Sequence, residues 1–172
     1  IYKNRSHNGN YQGGAIAYAY GENCTLKFTN CEMWANSGAD LIVTIEDNSN
    51  VYMYGCDIHD NAGSTIVSML TDNFTAEHIL EVKNTRIYDN EDTDYAFCLE
   101  DVNLTLENVT VENNTEMVIA ASDSSGIIKN CKFNNNAVGQ DYNDIFIDED
   151  CVDYVTFYDC DLGDSVSNLE LK

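Results

Sequence analysis

Apolar and polar residues alternate along this chain in short runs, and the phase of the alternation resets at regular places. In Leu26-Lys27-Phe28-Thr29-Asn30-Cys31-Glu32-Met33-Trp34-Ala35-Asn36 the apolar set is Leu26, Phe28, Cys31 and Met33, and the reset falls at Asn30. Period-two alternation predicts strands with one buried face. Asn, Gly and Asp tolerate a left-handed backbone, so the reset predicts a tight bend between two short strands.

The same eleven-residue unit begins again at Val51, Leu80, Leu104, Gly126 and Val155 with no gap inside any copy. Ile1-Tyr2-Lys3-Asn4 is the tail of one more, and the units recur every 22 to 32 residues. A further apolar strand follows each unit: Ala15-Ile16-Ala17, Leu41-Ile42-Val43, Thr65-Ile66-Val67, Tyr95-Ala96-Phe97, Met117-Val118-Ile119 and Ile145-Phe146-Ile147. Three strands per repeat, none able to bury its apolar face alone, predict an all-β parallel β-helix of about six coils with three short strands per coil. The competing β-sandwich would need antiparallel hairpins, two-residue turns and no fixed register between copies.

Five units end in Asn: Asn36, Asn61, Asn90, Asn114 and Asn136. A buried amide at one place in successive coils is costly unless its neighbours satisfy it, so these are expected to form a structural Asn ladder rather than a row of ligands.

With 172 residues, 44% of them hydrophobic, the chain is long enough for one domain with its own core. Eight Lys plus Arg face 30 Asp plus Glu, a formal charge of −22. That balance argues against an unaided nucleic-acid binder and against docking on an anionic leaflet. No stretch approaches the roughly 20 apolar residues of a membrane span, so no membrane insertion is expected. The N-terminal Ile1-Tyr2-Lys3-Asn4-Arg5 lacks the apolar core of a signal peptide. We therefore expect residues 1–172 to be a single β-helix segment of a longer exported protein, with 164–172 breaking the repeat as a C-terminal cap or linker.

Gly13-Gly14-Ala15-Ile16 and Phe133-Asn134-Asn135-Asn136 resemble the GGA-[ILV] and FxxN signatures of the polymorphic outer-membrane protein repeats, which similar adhesin-like surface proteins also carry. The first occurs once, and Ile, Val or Met mostly replaces the Phe of the second. The resemblance covers nearly the whole chain in its repeat grammar. It implies a right-handed β-helix, an extracellular or cell-surface location and a passenger or stalk role in adhesion, and it brings no catalytic residue.

Cys31, Cys56, Cys131 and Cys160 share one position of the unit, where Thr85 and Val109 stand in the middle copies. Cys31 should therefore stack on Cys56, and Cys131 on Cys160. In-register parallel strands keep Cβ atoms about 4.8 Å apart, wider than a disulfide favours, so packed thiols are the expected state. Seven Cys leave at least one unpaired within the chain.

Acidic residues are too many to be informative in pairs. Pectin-cleaving β-helices need basic residues at the cleavage site, and the only arginines are Arg5 and Arg86, so no catalytic residue and no enzyme activity are expected. The segment Asp89-Asn90-Glu91-Asp92-Thr93-Asp94 concentrates hard oxygen donors. Asp89, Glu91, Asp92 and Asp94 are the candidate calcium ligands, against the reading of a solvated acidic loop. Of six glycosylation sequons, Asn73 and Asn103 are the candidate acceptors, while Asn108 sits at a bend. Tyr52, Tyr54 and Tyr158 face outward and offer a surface for sugars or a partner.

These features point to a non-catalytic structural or adhesive segment, stalk or filament, whose partners are neighbouring coils or subunits and host or cell-wall glycans. The alternative is a carbohydrate-active β-helix, a lyase, hydrolase or glycan-binding module, with its site in the insertions.

Overall fold

The structure, a computed structural model, describes residues 1–4, 15–45, 48–70, 78–91, 94–115, 117–136, 145–147 and 154–163. The described residues form β-strands without any helix. The first sheet holds Ala17–Tyr20, Ser37–Ile45, Ala62–Leu70, Tyr95–Glu100, Met117–Ser122 and Ile145–Ile147. Thr25–Thr29, Asn50–Tyr54, His78–Lys83, Val102–Glu107, Ser125–Lys129 and Val155–Tyr158 make the second. Glu32–Trp34, Asp57–His59, Arg86–Tyr88, Thr110–Glu112 and Lys132–Asn134 make the third. Each strand pairs in parallel with its counterpart one coil away, giving a right-handed parallel β-helix. Parallel pairing throughout disposes of the sandwich. The segment 164–172, expected to be a cap or linker, lies outside the described residues, as do Arg5, Gly13 and Gly14.

Register is what makes the core. Leu26, Val51, Leu80, Leu104, Gly126 and Val155 stand opposite one another through the second sheet. Met33, Ile58, Ile87, Val111 and Phe133 do the same in the third, and all five are fully buried. The first sheet contributes Ile42, Val67, Phe97, Ile119 and Ile145. Gly126 admits no side chain: a Cβ there would sit 1.9 Å from the Leu104 carbonyl oxygen.

At the described corners of the coils the turning residue is left-handed. Asn30, Gly55, Asn84, Asn108, Asn130 and Asp159 take positive φ between the second and third sheets. Ala35, Asp60, Asp89, Asn113 and Asn135 do so after the third, and Asn23, Asn48, Asp101 and Asp123 before the second. Where the next residue is polar and points inward, its side chain must find partners. Thr85 Oγ1 donates to the Lys83 carbonyl at 3.0 Å and accepts the Cys56 amide at 3.2 Å. Ser124 repeats the pattern one corner away, on the Ser122 carbonyl and the Val102 amide.

At the remaining corner the inward residue is the repeated Asn. Asn61 Nδ2 and backbone N both donate to Asn90 Oδ1, at 2.9 and 3.1 Å. Asn90 donates likewise to Asn114 Oδ1, and Asn114 to Asn136 Oδ1. Asn36 reaches Asn61 the same way, and Asn4 reaches Asn36. Each amide also donates to the preceding coil, as Asn90 does to the Ile58 carbonyl at 3.2 Å. An outer ladder of corner side chains is exposed, with Asn113 donating to Asp89 Oδ1 at 3.1 Å.

Asn90→Ala leaves the amide of Asn61 and the Ile58 carbonyl without their side-chain partner in a dry corner, and should lose about 2–4 kcal/mol in denaturant unfolding. Asn113→Gly, at the exposed corner, should cost less than about 1 kcal/mol in the same assay. Ala35 takes φ 54° without the local hydrogen bonds that ease Asn or Asp into that conformation. Ala35→Asn should therefore raise stability by about 1 kcal/mol.

Candidate functional site

The outward side chains of the third sheet form a column of rings. Tyr2 bridges to Trp34, Trp34 pairs in register with His59, and His59 with Tyr88. Tyr2 and Trp34 stack at 5.0 Å between centroids with planes 6° apart, and His59 and Tyr88 at 4.8 Å and 13°. The rings stack face to face within these two pairs along the axis, and His59 Nε2 is buried in the column rather than turned to solvent. Charge frames the column. Arg86 Cζ lies 4.4 Å over the Tyr88 ring while its Nη2 pairs with Glu112 at 3.0 Å. His59 Nδ1 is 2.7 Å from Asp60 and its Nε2 3.5 Å from Glu32.

A second aromatic group lies on the second sheet. Tyr54 donates its hydroxyl to Glu81 Oε1 at 2.6 Å, and Lys83 Nζ is 3.2 Å from the same oxygen. Lys27 Nζ sits 5.3 Å above the Tyr54 ring, and Tyr52 lies beside it at 6.2 Å. Tyr158 shares the Tyr54 column, but Lys83, Glu107 and Lys129 stand between them. The three tyrosines are thus not one platform. The hydrogen bond to Glu81 pushes Tyr54 up to about 12, and the same bond lowers Glu81.

The outer face of the first sheet carries an open hollow of about 270 Å³ lined by Leu70, Cys98, Leu99, Glu100, Ala120 and Phe146 among others. Near it, burial raises the Asp40 carboxyl, hydrogen bonds from Thr65 and Ser68 partly oppose that, and Asp94 repels it further. Burial also raises the neighbouring Cys98 thiol.

The cysteine column has Cys31 opposite Cys56 and Cys131 opposite Cys160, as the flanking pairs Thr29↔Tyr54, Glu32↔Asp57, Lys129↔Tyr158 and Lys132↔Asp161 require. All four are free thiols. Each is turned to the carbonyl two residues before it, at 3.2 to 3.6 Å, the bond Thr85 makes. Burial raises Cys56 and pushes Cys131 up to about 12.

Of the candidate calcium ligands, Asp89 is an exposed corner residue whose carboxylate accepts from Asn113, Glu91 and Asp94 are exposed, and Asp92 lies outside the described residues. The described residues bring together no group of three or more metal-ligating His, Cys, Asp or Glu side chains. Asn103 is exposed on a strand of the second sheet, while Asn73 lies outside the described residues. His59 and His78 stand apart, the latter buried at the corner before the second sheet with Nδ1 3.3 Å from the Ser49 carbonyl.

The ring column was not anticipated, although its signal was present: Tyr2, Trp34, His59 and Tyr88 share the ninth position of the repeat unit. What fold and surface define together is a parallel β-helix repeat protein with an aromatic outer column. No protein-family model, curated protein or solved structure matches the chain.

Tyr54 should ionise well above the ordinary tyrosine range in a spectrophotometric titration, and Glu81→Gln should bring it back toward 10. Because its folded value lies above the unfolded one, this contact adds stability that is complete below pH 10 and lost as pH rises toward 12. Glu81 is shifted the opposite way, so its share persists above its ordinary value of 4.5 and fades as pH falls below it. Tyr54→Phe should flatten both limbs of a stability–pH profile.

Proposed function

We propose that this chain is a non-catalytic structural and adhesive segment of an extracellular surface protein, a stalk or filament like the polymorphic outer-membrane and adhesin-like β-helices it resembles. The observation that carries the reading is an in-register stack of coils bearing a regular ring column on its outside. Backbone bonds run along the axis in all three sheets, which favours a stiff rod, and the Asn ladder adds side-chain bonds in the same direction. The rings suit host or cell-wall glycans, whose C–H faces and hydroxyls pack against aromatic and polar edges together. A charge of −22 keeps such a rod soluble. Calcium bound at Asp89, Glu91, Asp92 and Asp94 belongs to this proposal as a modulator.

A broad glycan array, read with and without calcium, tests it. The expected result is a defined group of glycans whose binding falls about tenfold in Trp34→Ala, in line with about 1.4 kcal/mol for an aromatic contact. Calcium-dependent binding lost in Asp89→Asn would add the acidic loop to the site. No binding in either condition would sink the adhesive half of the proposal.

The hollow on the first sheet supports a second reading, a carbohydrate-active module in which Asp40, whose carboxyl burial raises, acts as an acid toward a bound glycan. Product release from a polysaccharide panel, stopped by Asp40→Asn, would favour it over the first.

A further inference from the structure

We infer that the stacked cysteine pairs Cys31/Cys56 and Cys131/Cys160 are two separate sites for a soft, two-coordinate cation of the Cu(I) type. This goes beyond the structural and adhesive reading and does not depend on it.

Geometry carries the inference. Both members of a pair are directed at the carbonyl two residues upstream, so they share an orientation. One sulfur is then related to the other by a coil step of about 4.8 Å. A disulfide needs Cβ atoms about 3.8 Å apart, and closing that gap would pull two bonded coils together. A linear thiolate–metal–thiolate bridge needs two bonds of about 2.3 Å, or about 4.6 Å between sulfurs, close to that coil step. Thiolate is the ligand that soft Cu(I) prefers over harder cations.

Position separates and opens the sites. Thr85 and Val109 fill the two middle coils, so the pairs cannot merge into one cluster. Within each pair one thiol is buried, Cys56 or Cys131, and its partner is half-buried, Cys31 or Cys160. The half-buried sulfur gives the ion its entry, and the buried one removes it from water. Binding breaks two S–H bonds and forms two Cu–S bonds. Both protons pass to solvent, no electron moves, and copper remains Cu(I).

The test is anaerobic titration of the reduced full chain with Cu(I) against a colour-forming Cu(I) chelator. Thr85 makes the same carbonyl bond as the cysteines, so Cys→Thr is the matched substitution and circular dichroism should stay unchanged. The parent chain should retain two ions and release two protons for each. Cys56→Thr and Cys131→Thr should each retain one, the double variant none, and Cys98→Ser both. X-ray absorption should find two sulfur neighbours per copper. Any stoichiometry other than two in the parent, copper retained by the folded double variant, or three sulfur neighbours would overturn the assignment.

Discussion

Everything in this molecule depends on a backbone that turns left-handed at the corners of its coils. Among the described residues fifteen non-glycine positions have φ near +50°, and all but Lys3 and Ala35 are Asn or Asp. These are the side chains for which that conformation is least costly. The turns close each coil into a triangle, and closing it repeatedly at the same sequence position holds the register. Without that register the inner columns could not coincide, and no single coil has an interior large enough to sustain itself.

Once the corners are placed, much of the odd composition becomes structural. Asp60, Asp89, Asp101, Asp123 and Asp159 are corner residues, so part of the net negative charge follows from the turns. The surplus of sequons has the same origin. Asn23, Asn108 and Asn113 are left-handed corner residues that happen to precede a Thr by two positions. Asn108 already uses its amide on Asn84. Asn103 differs from them because it lies within a strand and points outward.

The repeat, the three-strand coil and the parallel stacking were legible in the sequence because inward positions answer to a single demand. An apolar side chain at Met33, Ile58 or Ile87 has one place to go, and its spacing from Cys31, Cys56 or Thr85 records the bend between them. Outward positions answer to no such demand, and their pattern is legible only after the register is known. Tyr52, Tyr54 and Tyr158 drew notice as tyrosines, yet ion pairs with Glu81, Lys83 and Glu107 break up that column. Trp34, His59 and Tyr88 are chemically unlike one another, and only stacking makes them one feature. The Asp40 environment was hidden for a different reason: Thr65, Ser68 and Asp94 come from other coils and meet it only in three dimensions.

The outer surface is also divided by charge in a way the fold explains. Lys27, Lys83, Arg86, Lys129 and Lys132 all lie on the second and third sheets, and the first-sheet strands contain no Lys or Arg. The eleven-residue unit spans the second and third sheets, where short strands around a shared corner let cations pair with acids one coil away, as Lys83 does with Glu107 and Arg86 with Glu112. The first sheet lies outside that unit and instead exposes Tyr20, Phe146 and Leu70 with Glu100 beside them. The sides of the β-helix therefore present different chemistry: rings framed by ion pairs on one, an apolar and acidic face on another. A repeat that varies on one side and holds its register on the inside can acquire such surfaces without disturbing the core, because only inward residues make up that core.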